Sequence, residues 1–173
     1  PFTLVAVPDT QFYSESYPDI FYDQTQWIAD NMDTEAIEYV THLGDIVQTG
    51  TSTTQWSVAD TAMATLDGTI PYGVVIGNHD FDGGTDSGDM FRAYFGASRF
   101  TSNPGYGGHS ADELNSWHTF QAGPWEFLMI HLDIDAPDAA LQWAQSVMDN
   151  HPNKPTIVST HVYLDSSSGR EPS

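Results

Sequence analysis

Val74-Val75-Ile76-Gly77-Asn78-His79-Asp80 is the stretch on which the reading of this chain turns. Two valines and an isoleucine favour a short buried strand. Gly77 lets the backbone turn sharply or approach something closely. An amide, an imidazole and a carboxylate then follow in a row. The amide oxygen can coordinate a metal, the imidazole can move a proton, and the carboxylate can hold that imidazole in one tautomer. Alone, the tetrapeptide fits a surface turn equally well, because Gly, Asn and Asp are turn formers. What separates the two readings is recurrence: the same strand-then-polar pattern appears three more times.

Upstream, Phe2 to Val7 reads as a strand that ends at Pro8-Asp9-Thr10-Gln11. A tyrosine-rich loop follows, and Asp23 is placed to cap a helix carrying Trp27, Ile28 and Met32. Ile37 to Leu43 is the next strand and ends at Gly44-Asp45. Gln55 to Leu66 has helical spacing of Trp56, Ala59, Met63 and Leu66. Downstream, residues 81–117 form a loop-rich insertion with a short helix near Met90 to Phe95 and a Pro/Gly loop at Asn103 to Gly108. A hairpin is expected around Ala122-Gly123-Pro124. Ala136 to Asn150 is the clearest helix, with Pro137 in its first turn. The last strand, Thr156 to Ser159, runs into Thr160-His161, and the tail Ser166 to Gly169 looks flexible.

Strands alternating with helices predict an α/β layered fold in one domain over residues 1–173. The intervals Asp9–Asp45 and Asp45–Asn78 each suit one strand–helix–strand unit. In such folds ligands bind beyond the carboxyl ends of the strands. Asp9, Asp45, Asn78-His79-Asp80 and His161 all fall at those ends.

Charge bounds the partners. Four basic residues stand against 24 acidic ones, for a net charge of −20. That argues against nucleic acid held by a basic face and against docking on anionic lipid. Salt or divalent cations would relieve the self-repulsion, which fits a secreted, extracellular or periplasmic setting. No apolar run spans a bilayer and no basic leader is visible, although a mature secreted chain would have lost one. There is no cysteine, so any metal must sit on oxygen and imidazole ligands.

Two aspartates, an asparagine and a histidine around one rim make a divalent metal centre plausible. Asp9-Thr10-Gln11, Gly44-Asp45, Gly77-Asn78-His79-Asp80 and Thr160-His161, in that order, resemble the calcineurin-like metallophosphoesterases. The resemblance implies layered mixed β-sheets flanked by helices, a four-layer sandwich. It implies two divalent ions (Mn, Fe, Zn or similar) and hydrolysis of a phosphomonoester or phosphodiester. Asp9 would bind the first ion, Asp45 would bridge both, and Asn78 and His161 would bind the second. His79 and Asp80 would form the catalytic pair.

Two positions depart from the family pattern. Gln11 stands where a histidine belongs, offering a weaker amide oxygen. No Gly-His-any-His motif follows His161, so the domain reads as truncated after residue 165. Its exposed sheet edge is then open to self-association or to a missing C-terminal part. A degenerate domain used for binding or assembly is the competing reading, and a secreted carbohydrate- or calcium-binding module ranks last. Tyr13 and His109 are candidate substrate contacts, and Phe12, Tyr17 and Tyr106 candidate pocket walls. His42 is expected to pack, His118 to lie near the surface, His131 to cap the sheet end rather than face the site, and His151 to end a helix. Asp133 and Asp135 are expected to lead into the following helix.

Overall fold

A computed structural model describes residues 1–81, 87–134 and 136–163. Three parallel strands, β1 (Thr3–Val7), β2 (Ile37–His42) and β3 (Tyr72–Val74), form one sheet in the order β1-β2-β3. The second sheet is mixed, in the order β4-β5-β6-β7. Its strands are β4 (Tyr106–His109), β5 (Ser116–Ala122), β6 (Trp125–His131) and β7 (Thr156–Ser159). β4, β5 and β6 run antiparallel to their neighbours, while β6 and β7 are parallel.

The helices α1 (Gln11–Ser16), α2 (Pro18–Asn31) and α3 (Thr53–Ala64) supply the crossovers that parallel strands require. They cover one face of the first sheet, where Phe21, Ile28, Trp56 and Met63 pack with Val7, Val40 and Val74. The period of two along β2 sorts its side chains. Val40 and His42 face the helices, while Tyr39 and Thr41 face the second sheet. There Tyr39 stacks on Phe120, with ring centroids 4.7 Å apart. Beyond the second sheet, α6 (Asp138–Asn150) sets Ala144 and Val147 on Leu128 and Ile130. The order is helices, sheet, sheet, helix, which is the four-layer arrangement expected.

Some local readings change. The aromatic stretch after β1 is helical, because Pro18 opens α2 at its first turn and Phe21, Thr25 and Ile28 fall on one buried face. Asp23 therefore lies inside that helix and does not cap it. Ser52 caps α3 instead, its hydroxyl accepting from the Gln55 amide. Residues 87–109 carry α4 (Asp89–Phe95), α5 (Ala97–Phe100) and β4, and Phe91, Phe95 and Phe100 join the core. The hairpin forms as read, with Ala122 opposite Trp125 across Gly123-Pro124. His118 is buried between the sheets, on the inward side of β5, and not at the surface. Asp135 and the Ser166 to Gly169 tail lie outside the described residues. No described helix is long and apolar enough to cross a membrane.

Candidate active site

The loops after β1, β2, β3 and β7 meet at one rim. Two glycines make the approach possible. Gly44 has φ +94°, and a Cβ there would stand 2.9 Å from His161 Nδ1 and 3.0 Å from the Gly77 amide. A Cβ on Gly77 would stand 2.3 Å from both the amide nitrogen and Oδ1 of Asp45. Asp45 itself has φ +50°, a left-handed conformation that aspartate tolerates better than most residues.

Asp45 is the hub of the rim. Its Oδ1 accepts from the His79 amide at 2.9 Å, and its Oδ2 lies 3.4 Å from His161 Nε2. Asp9 Oδ1 lies 4.0 Å from His161 Nδ1. Asp9, Asp45 and His161, far apart in sequence, are therefore brought together. Asn78 precedes the His79 amide bound to Asp45 and is exposed beside it.

Backbone carbonyls fix the tautomers, since a carbonyl only accepts. His161 Nδ1 donates to Leu43 O at 2.8 Å, leaving Nε2 turned to Asp45. The Asp45 carboxylate raises the His161 pKa to about 9, against a burial effect, so the ring is an imidazolium at neutral pH. Burial pushes the Asp45 carboxyl upward, but His161 and the His79 amide outweigh it and hold it below the usual carboxylate range. His79 Nδ1 donates to Gln48 O at 3.1 Å, so Nε2 is the position free to exchange a proton with a ligand.

Asp80 does not orient His79. It is fully buried, with Oδ1 accepting from the Ile46 and Val47 amides (2.7 and 2.9 Å) and Oδ2 from the Gly77 amide at 2.8 Å. It clamps the Asp45 loop to the Gly77 loop. Burial pushes its pKa up to about 7 against the pull of those three amides.

Supports that the sequence did not announce hold the same loop from below. His42 Nδ1 accepts from the Gly44 amide, so Nε2 donates to Thr10 Oγ1. Thr10 and Ser14 hydroxyls both donate to Ile46 O, at 3.1 and 2.7 Å. Carbonyl acceptors such as Leu43 O, Ile46 O and Gln48 O leave no side-chain signature. His42 packs, as read, and burial takes its pKa down to about 3. His131 bonds Thr41 Oγ1 between the sheets and does not face the site. His151 caps the end of α6. Asp133 is buried, its amide bonded to Asn115 and its carbonyl to Thr160.

Among the expected substrate contacts, Tyr13 is half-buried against the helical core, and His109 bonds Ser110 O on the outer strand β4. Neither bonds Asp45 or His79. Phe12 and Tyr17 are exposed, and Tyr106 stacks on Phe100.

Among the described residues, no group of three or more His, Asp or Glu stands ready to hold a metal ion. The donors nevertheless fit a divalent ion in kind. Carboxylate, imidazole and amide oxygen are the ligand types that Mn, Fe and Zn accept. His161 has the carbonyl-anchored Nδ1 usual for a ligating histidine, and once Nε2 loses its proton it presents a lone pair beside Asp45. Gln11, the first residue of α1, has its side-chain oxygen buried with no hydrogen-bond partner.

Comparison with known proteins bears on the family and the fold. A Bacillus subtilis (strain 168) protein, "Uncharacterized protein YvnB", is 38% identical over 172 residues, which is 99% of this chain and 13% of that protein. The chain thus spans a small part of this relative's length. The purple acid phosphatase PPD1 of yellow lupin (Lupinus luteus) shares the fold with a TM-score of 0.61 at 16% identity, over 98% of this chain and 33% of that one. A family model described as calcineurin-like phosphoesterase matches residues 2–172, and the chain belongs to that family.

Proposed function

We propose that this domain hydrolyses a phosphomonoester or phosphodiester at a pair of divalent ions held by Asp9, Gln11, Asp45, Asn78 and His161. The observation that carries the reading is the Asp45 hub: His161 reaches it from a distant loop with Asp9 near the same ring, and the His79 amide is fastened to it. Bound ions would supply an activated water and charge stabilisation for the phosphoryl oxygens. Asp45 would be the residue shared between two ions, a reading supported by its two oxygens facing different neighbours. His161 would have to give up its Nε2 proton to help hold an ion. His79, with Nδ1 held by Gln48 O, would in its doubly protonated form donate from Nε2 to the leaving oxygen. Asp80 acts through the backbone, holding the two loops in register.

A second reading, a non-catalytic relative used for binding, is favoured by one observation. His161 fills the space between the two carboxylates as a cation of its own. Metal analysis of the purified protein, with hydrolysis of an aryl phosphate in added Mn, separates the two. Two retained ions and turnover abolished by Asp45→Asn support the enzyme. No retained ion and no turnover would leave the binding role.

A further inference from the structure

A cavity of about 300 Å³ opens beside His79. Gln48, Thr49, Thr51, Asn78, His79 and Phe81 line it. Resting on the phosphoesterase reading above, we propose that this cavity receives the leaving group of the ester, and that this group is uncharged and hydroxyl-bearing, of the sugar or polyol class.

Position is the first argument. The group that departs must lie next to the proton donor, and the cavity shares His79 and the Gln48 carbonyl that orients its ring. The lining is the second. Two amides and two hydroxyls offer donors and acceptors, and Phe81 offers an apolar wall against which the C–H face of a sugar can rest. The Gln48 side-chain oxygen is buried with no hydrogen-bond partner.

Charge is the third argument. Each basic side chain among the described residues is committed elsewhere: Arg92 to Asp89, Arg99 to Asp60 and Asp67, Lys154 to Glu126. None lines the cavity. A chain of net charge −20 repels a substrate that carries further anionic groups. An ester whose only charge is on the reacting phosphorus suits this rim better than a nucleoside triphosphate or an acidic phosphopeptide.

Turnover of an aryl phosphate by the Mn-loaded protein tests the underlying reading by itself. Given turnover, kcat/KM is compared for glycerol phosphate, a hexose phosphate, a nucleoside triphosphate and an acidic phosphopeptide. The polyol and sugar esters are expected to lead by about tenfold or more, and Thr51→Lys to narrow that gap, chiefly through KM for the anionic substrates. Equal or better turnover of the anionic substrates, with Thr51→Lys changing nothing, would overturn the inference and leave the phosphoesterase reading standing. A second measurement does not depend on turnover. Amide resonances of Thr49, Thr51 and His79 are followed as methyl glucoside or citrate is added. Shifts with the glucoside alone support the inference, and shifts with citrate alone, or with neither, overturn it.

Discussion

Asp80 and His79 are neighbours in sequence, yet their side chains serve different partners. The three amides on Asp80 belong to Ile46, Val47 and Gly77, all buried. Removing the carboxylate leaves those donors without an acceptor. Asp80→Ala is therefore expected to lower stability by roughly 1–3 kcal/mol or more, read from the urea midpoint. His79→Ala removes no such support. It should slow turnover of the metal-loaded protein by roughly 10²–10⁴-fold, with metal content, measured on the same sample, almost unchanged. Loss of the ions in that variant would sink the role assigned to His79. Gly77→Ala drives a methyl into Asp45. Overpacking of this kind costs roughly 1–3 kcal/mol, and here it also displaces the hub, so activity should fall further than stability.

Among the elements, α3 begins on a modest cap. The Ser52 hydroxyl caps it, but the bond to the Gln55 amide is long, at 3.4 Å. Ser52→Ala is thus expected near the lower end of the usual range for caps, about 0.5 kcal/mol, by equilibrium unfolding. The elements legible in the sequence were those with a strong period and clear punctuation: β2, α3, α6, the hairpin, and the polar ends of the strands. Gly77-Asn78-His79-Asp80 stood out because chemistry-bearing side chains crowd there. The helical start of α2 was misread, because Pro18 announces it while the tyrosines around it suggest a loop. In residues 87–109 the helix near Met90 to Phe95 was legible and forms as α4, whereas α5 and β4 stayed hidden because Gly and Pro dominate their surroundings, and the burial of Phe100 fixes α5. The pairing of Asp80 with backbone amides had no sequence signal, since an amide is present at nearly every position.

Across the whole molecule, ionisation sets the stability profile. Burial takes His42 and His118 down to about 3 and His131 well below its ordinary value. These rings stay neutral in the fold while the unfolded chain gains protons below about 6.5. Their contribution is present above that pH and lost as the pH falls toward 3. Asp80, raised to about 7, works the other way, but three rings outweigh one carboxyl. His161 adds stability below about 6.5 that is lost as the pH rises through about 9. The melting temperature should therefore peak near neutrality, and His118→Phe should flatten its acid limb. Salt acts on the same balance. The Debye length falls from about 10 Å at 0.1 M to about 3 Å at 1 M, so the melting temperature of this −20 chain should rise across that range. A fall would mean that local ion pairs outweigh the global repulsion.

β7 holds only four residues and, among the described residues, pairs as a strand with β6 alone, yet it delivers His161 to the rim. Short outer strands open at lower free energy than the core. Heat should disconnect His161 from Asp45 while the two sheets still hold together. Inactivation would then run ahead of the loss of circular dichroism, and the gap between the two curves would measure how loosely that last strand is fastened.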